Sequence, residues 1–116
     1  GVKLRTGGLA AEDFPTLEAT AKFLLDAASA EVPLKGTAGM HWPLRAPSDV
    51  VEGATAHGFL NFLTAAAVAH LRDCDDSDLI PILQASADDL SSVELWFGWT
   101  IGNWKTLKSP KPASAL

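Results

Sequence analysis

Cysteine, long apolar runs and basic charge are scarce in this sequence, and each shortage excludes a class of protein. The single cysteine, Cys74, excludes an internal disulfide and a structural zinc site built on thiolates. No apolar run reaches the length of a membrane span. The first residues show a strand pattern and lack the hydrophobic segment of a signal peptide. These features predict a cytoplasmic protein that does not bind membranes.

The charge balance argues against nucleic acid as a partner. The net charge is −5, whereas a nucleic-acid-binding domain needs a basic footprint. The 116 residues, of which 47% are apolar, suit one folded domain with a modest core. We expect a single α/β domain over residues 1–107 and a disordered tail over residues 108–116, which holds two prolines.

The N-terminal third carries a strand, a helix and a second strand. Residues 2–6 and 32–37 alternate aliphatic and polar side chains, and residues 17–30 carry the apolar stripe of a helix that Thr16 caps. This order predicts a βαβ unit with parallel strands. One sheet face is then aliphatic, and the other carries four polar side chains: Lys3, Arg5, Lys35 and Thr37.

In the remaining chain, the sequence predicts a loop over residues 38–53 and a helix over 55–72 that is apolar nearly all round. A short helix with Pro81 in its first turn is predicted to end near residue 87. Residues 93–107 read as a Trp-rich strand or hairpin. The predicted fold class is α/β: two or three parallel strands with helices on one face, resembling part of a (βα) barrel.

The basic face in an acidic protein indicates a site for a small anion, phosphate or carboxylate. Lys35 could be the cation that binds a phosphate, or the nucleophile that forms a Schiff base. Arg5 and Arg45 could each bind a carboxylate or phosphate through two hydrogen bonds. Simpler interpretations stay open. Lys35 can extend from an open sheet face into water, and the arginines can pair with nearby acids; those acids are Asp13, Asp49 and Glu52.

Further candidates come from the loops that follow the strands. His41 and His57 are candidate acid–base groups because imidazole titrates near neutrality, although core or capping roles are equally open. Loop glycines can offer backbone N–H groups to an anion or simply serve turn geometry. The remaining predicted anion-binding residues are Gly7, Gly8, Thr37, Gly39 and Asn61. No third histidine or acid has metal-ligand spacing, so neither a metal nor a cofactor is predicted.

Several ordered motifs resemble the C-terminal part of a family of longer, uncharacterised bacterial proteins. The motifs are Lys3-Leu-Arg-Thr-Gly-Gly8, Phe14-Pro15, Pro33-Leu-Lys-Gly-Thr-Ala-Gly-Met-His41 with Pro43 and Arg45, and His57-Gly-Phe-Leu-Asn61. The resemblance covers roughly residues 2–72 and implies no known activity. This chain departs from the family by lacking an N-terminal half and by having Trp42 where a second histidine often stands.

A shorter stretch is similar to class I aldolases such as deoxyribose-phosphate aldolase. In those barrels, strands end in a Lys-x-Ser/Thr-x-Gly pattern that holds a Schiff-base lysine and a phosphate loop. Lys35-Gly-Thr-Ala-Gly39 matches that pattern. The likeness implies a barrel-like (βα) architecture.

Two functions remain as alternatives. The chain is an enzyme fragment acting on a small anionic metabolite, or it is a non-catalytic, homo-oligomeric binding or interaction module that has lost activity. We predict a homodimer in either case, because a small parallel sheet needs cover on both faces. The dimer contact is predicted to bury an aromatic side chain: Trp96, Phe97, Trp99 or Trp104.

Overall fold

A computed structural model describes residues 1–87, which form a small parallel sheet packed against three helices. Strand β1 (Val2–Arg5) leads through helix α1 (Leu17–Ala30) to strand β2 (Leu34–Thr37). The two strands pair in parallel, with Lys3 opposite Lys35. The predicted α/β class and its parallel sheet are therefore confirmed.

Helix α1 begins where the sequence predicts, because Thr16 caps it. The Thr16 hydroxyl accepts a hydrogen bond from the Ala19 N–H at 3.0 Å. At the other end, Glu31 adopts a left-handed conformation with φ of 55°, and the Val32 N–H returns to the Ala27 carbonyl. These residues belong to the helix cap, so β2 begins two residues later than the sequence predicts.

A short antiparallel ribbon replaces part of the predicted loop and helix. Strand β3 (Ala46–Pro47) pairs with strand β4 (Thr55–Ala56). Because β4 and the extended Gly58 occupy the expected first turn, helix α2 (Phe59–Leu71) starts four residues later than predicted.

Helix α3 (Asp76–Gln84) begins with a reciprocal capping box. The Asp75 carboxylate accepts from the Ser77 N–H at 3.0 Å, and the Asp78 carboxylate accepts from the Asp75 N–H at 3.0 Å. Pro81 is the sixth residue of the helix and not in its first turn, so one internal hydrogen bond is missing. The predicted hairpin over residues 93–107 and the tail over 108–116 lie outside the described residues.

The core lies between the three helices and one face of the sheet. Leu4 and Leu34 pack against it from the strands. A Cβ added to Gly36 would lie 3.2 Å from the Phe62 ring, which shows how closely β2 approaches α2. The fully or nearly fully buried members of this core are Ala21, Leu24, Ala28, Phe62, Ala65, Val68, Ala69, Leu79, Ile82 and Leu83.

Helix α2 keeps one side exposed, although its sequence is apolar nearly all round. Phe59, Leu63 and Leu71 are 38%, 61% and 45% exposed. With the exposed Ala67 they recur every four residues, so they form one stripe along the helix. We call these four residues the α2 stripe. Within residues 1–87, no helix has both the length and the hydropathy needed to cross a bilayer.

Candidate functional site

The polar side chains of the two parallel strands lie on the sheet face opposite the helices. The register sets Lys3 opposite Lys35 and Arg5 opposite Thr37, so all four share one face. The two lysines and Arg5 are exposed, and Thr37 is half-buried. We call these four residues the basic face. An open depression of about 420 Å³ adjoins the lysine pair.

Arg5 is partly engaged within the chain. Its Nε donates to the Gly7 carbonyl at 2.9 Å and lies 3.9 Å from a carboxylate oxygen of Asp13. The Arg5 side chain is 64% exposed, so its charge is well solvated and the contact with Asp13 is weak. The structure thus holds the guanidinium over the loop that follows β1.

The loops after β1 and β2 pack directly on each other. The buried Thr6 hydroxyl bonds the carbonyls of Thr37 and Ala38. Ala38 and Gly39 both have positive φ, of 65° and 78°. A Cβ on Gly39 would lie 2.6 Å from the Cα of Gly7, so this approach requires glycine. These contacts give Gly7 and Gly39 a packing role that needs no ligand.

Gly8 lies beside the Arg5 guanidinium. A Cβ at Gly8 would lie 2.8 Å from Arg5 Nη2 and would also collide with the Asp13 carboxylate. The absence of a side chain therefore leaves room for the arginine to fold back over the loop.

His57 occupies a separate and fully enclosed position, 1% exposed. Its Nε2 lies 2.8 Å from the Thr20 hydroxyl and 3.1 Å from the Pro15 carbonyl, and its Nδ1 lies 2.9 Å from Arg45 Nη1. Because a guanidinium only donates, Nδ1 accepts and the proton must sit on Nε2. Burial, and next the charge of Arg45, lower the pKa of His57 to about 4.

Arg45 is half-buried and is held at both ends. Its backbone N–H donates to the Asn61 side-chain oxygen at 2.9 Å, and its Nη1 donates to His57. Burial lowers the pKa of Arg45, while the negative charge of Glu18 acts in the opposite direction. Among residues 1–87, no carboxylate lies within 4 Å of this guanidinium. The predicted pairings with Asp49 and Glu52 are therefore not formed.

Asn61 is fully buried and uses its whole amide on backbone groups. Besides the bond to Arg45, its Nδ2 donates to the carbonyls of Ile82 and Ala85 at 2.8 and 2.9 Å. The side chain ties the loop before β3, helix α2 and the end of α3 together. In this arrangement none of its polar groups is available to a ligand.

His41 lies apart from both groups. Its Nδ1 lies 2.8 Å from a carboxylate oxygen of Asp49, and both side chains are nearly half exposed. The hydrogen bond with His41 lowers the pKa of Asp49. His41 and His57 therefore belong to different hydrogen-bonding networks.

An apolar cavity of about 330 Å³ lies beside the loop that carries Arg45. Trp42, Leu44 and Leu60 line it, together with Arg45 and Ala87. Trp42 is 47% exposed at the cavity wall. The walls are almost wholly apolar, so Arg45 contributes its aliphatic stem there.

The sequence-predicted residues therefore separate into three groups. The basic face and the glycine loops adjoin each other, Arg45 joins His57 and Asn61, and His41 joins Asp49. Sequence reasoning missed Thr6 and Thr20, both 0% exposed. A signal for Thr20 existed, because a threonine beside the apolar stripe of α1 needs a polar partner once buried.

The described part of the chain shows no cluster of three His, Cys, Asp or Glu side chains able to hold a metal ion. Comparison with known protein families, with curated proteins and with solved structures gave no match to this chain.

Proposed function

We propose that this chain binds a small anion, phosphate or carboxylate, on the basic face. The observation that carries the proposal is the cross-strand pairing of Lys3 with Lys35. Paired strands lie about 4.8 Å apart, so the bases of the two lysine side chains are neighbours on one sheet face. Like charges directly opposite each other destabilise a sheet, and a bound anion removes that repulsion.

The surroundings of the lysine pair support this proposal. Within residues 1–87, neither lysine has a carboxylate within 4 Å, although the whole chain carries a net charge of −5. Arg5 and Thr37 follow one step along the same face and add a guanidinium and a hydroxyl. These are the donors that phosphate and carboxylate accept from in proteins.

Thermal unfolding with and without inorganic phosphate tests the site. A ligand that binds only the folded chain raises the melting temperature, so phosphate should do so for the native protein. Lys35→Met should abolish the rise, because it removes one of the paired charges at an exposed position. Lys22→Met is the matched control, since Lys22 is exposed on α1 and pairs with Asp26 at 2.8 Å. An equal rise in Lys35→Met would place any binding elsewhere.

Catalysis by an enzyme fragment is the extension of this proposal. The Lys35 amine would add to a substrate carbonyl and lose water to give a Schiff base. Borohydride treatment with a phosphorylated aldehyde should then leave a stable mass adduct on Lys35. If phosphate binds but no adduct forms, the chain is a binding module for anions.

Self-association into a homodimer is the second candidate, and the α2 stripe favours it. A row of exposed apolar residues along one helix is typical of an interaction surface. Leu63→Lys should shift the mass measured by light scattering from dimer to monomer without unfolding the chain, because Leu63 is 61% exposed. A native chain that is monomeric at micromolar concentration would rule this candidate out. The predicted contact at Trp96, Phe97, Trp99 and Trp104 lies outside the described residues.

We also propose that the unit of β1, α1 and β2 resembles part of a (βα) barrel. Its strand–helix–strand order and parallel register are the arrangement from which such barrels are built.

A further inference from the structure

Arg45 and the cavity next to it form a second candidate site, separate from the basic face. The Arg45 backbone is fixed by Asn61 and by a bridge to Ser86, and its guanidinium is fixed by His57. A long side chain held at both ends has already lost most of its conformational freedom. A ligand that bonds to it therefore meets a preorganised donor.

His57, which holds the guanidinium of Arg45, carries no negative charge that would neutralise it. His57 is neutral and accepts through Nδ1, because the proton on Nε2 is directed towards Thr20 and Pro15. The other N–H groups of Arg45 make no hydrogen bond within residues 1–87. Within those residues the half-buried guanidinium also has no carboxylate within 4 Å, and such a cation favours binding of an anion.

The neighbouring cavity indicates what is attached to that anion. Its volume of about 330 Å³ lies at the low end of the range for small-molecule pockets, about 300–1,000 Å³. Trp42 and Leu60 offer aromatic and aliphatic walls, and the stem of Arg45 forms another part of the wall. The cavity wall thus includes part of the same side chain that carries the guanidinium.

We propose that Arg45 and this cavity bind an organic carboxylate whose apolar body fills the cavity while its carboxylate bonds the guanidinium. His57 is a positioning residue in this site, because it acts on the ligand only by orienting Arg45. The ligand class follows from charge complementarity with Arg45 and from the apolar walls.

Calorimetric titration with 3-phenylpropionate and its amide tests the proposal. The native chain should bind the acid about tenfold or more tightly than 3-phenylpropanamide, since one charge-assisted hydrogen bond contributes at least that factor. Arg45→Gln should remove this preference. Trp42→Ala should weaken binding of both compounds, because it removes part of the cavity wall.

Two substitutions of His57 distinguish between two roles of this residue: orienting Arg45, or only supporting the fold. Asparagine places an acceptor oxygen where Nδ1 stands, so His57→Asn should retain the preference for the acid. Glutamine places a donor near the Nε2 position and provides no acceptor for Arg45, so His57→Gln should lower it. Equal affinities in the two variants would overturn the positioning role.

Exposed positions keep the test independent of folding defects. Glu18→Gln removes the acid whose charge acts on Arg45 and should tighten binding of the acid. Lys22→Gln should change nothing. Lys35→Met should retain binding of the acid that depends on Trp42, because the basic face is a different site. The proposal is overturned if the native chain binds neither compound or does not distinguish them, or if Lys35→Met abolishes binding.

Discussion

Replacing His57 with asparagine should remove the part of the loss of stability between pH 6.5 and pH 4 that comes from the buried imidazole. The imidazole titrates near 6.5 when exposed and near 4 in the folded chain. An unfolded chain therefore takes up a proton in this interval that the folded chain refuses. The contribution of His57 to stability is complete above pH 6.5, falls as the pH drops towards 4, and changes no further below pH 4.

The size of the effect follows from the shift in pKa. A shift of about 2.5 units, at about 1.4 kcal/mol per unit, gives about 3.5 kcal/mol in total, of which about 3 kcal/mol falls between pH 7 and pH 4. No discount for solvent screening is needed, because His57 is 1% exposed. Near pH 5.3 the unfolded chain should bind about 0.9 proton more than the folded chain through this residue alone.

Urea unfolding followed by circular dichroism at several pH values measures the loss. The chain has 14 aspartates and glutamates that also titrate at acid pH, so the informative quantity is the difference between native chain and variant. That difference should shrink by about 3 kcal/mol from pH 7 to pH 4. Parallel curves for the two proteins would refute the neutral, Arg45-bonded state of the buried imidazole.

Three further substitutions test the packing that positions the candidate sites. Asn61→Ala should destabilise the chain by about 2–4 kcal/mol in urea unfolding, because it removes three hydrogen bonds and strands the carbonyls of Ile82 and Ala85; a loss below about 0.5 kcal/mol would contradict this. Gly39→Ala should lower the melting temperature, since the added Cβ meets Gly7 at a positive φ; an unchanged value would show that the loops separate freely. Leu24→Ala should cost about 2–5 kcal/mol in the same urea assay, and a smaller loss would mean that the core collapses around the site.

The parallel sheet was predictable because its determinants are local. Period-two alternation marks the strands, the Thr16 cap marks the start of α1, and the intervening helix makes the strands parallel. Lys3 and Lys35 then lie on the same sheet face, provided that the two strands pair with their alternating side chains in phase. The start of α2 was less predictable, because the pairing of Thr55 with Pro47 is a tertiary contact that overrides the local helical pattern.

The separation of Arg45 and His57 from the basic face could not be read from the sequence. Residue types alone do not show which side-chain groups are already hydrogen-bonded to the backbone. The Asn61 amide makes three such bonds. The proton position on His57 likewise depends on three partners from different parts of the chain. Only the assembled fold brings those partners within hydrogen-bonding distance.

A nuclear magnetic resonance titration of the native chain with inorganic phosphate tests the central proposal most directly. Backbone amides in β1, β2 and the glycine loops after them should shift in a saturable manner, and Lys35→Met should suppress these shifts. Absence of saturable shifts, or shifts centred on Arg45 and not on the lysine pair, would contradict an anion site on the basic face.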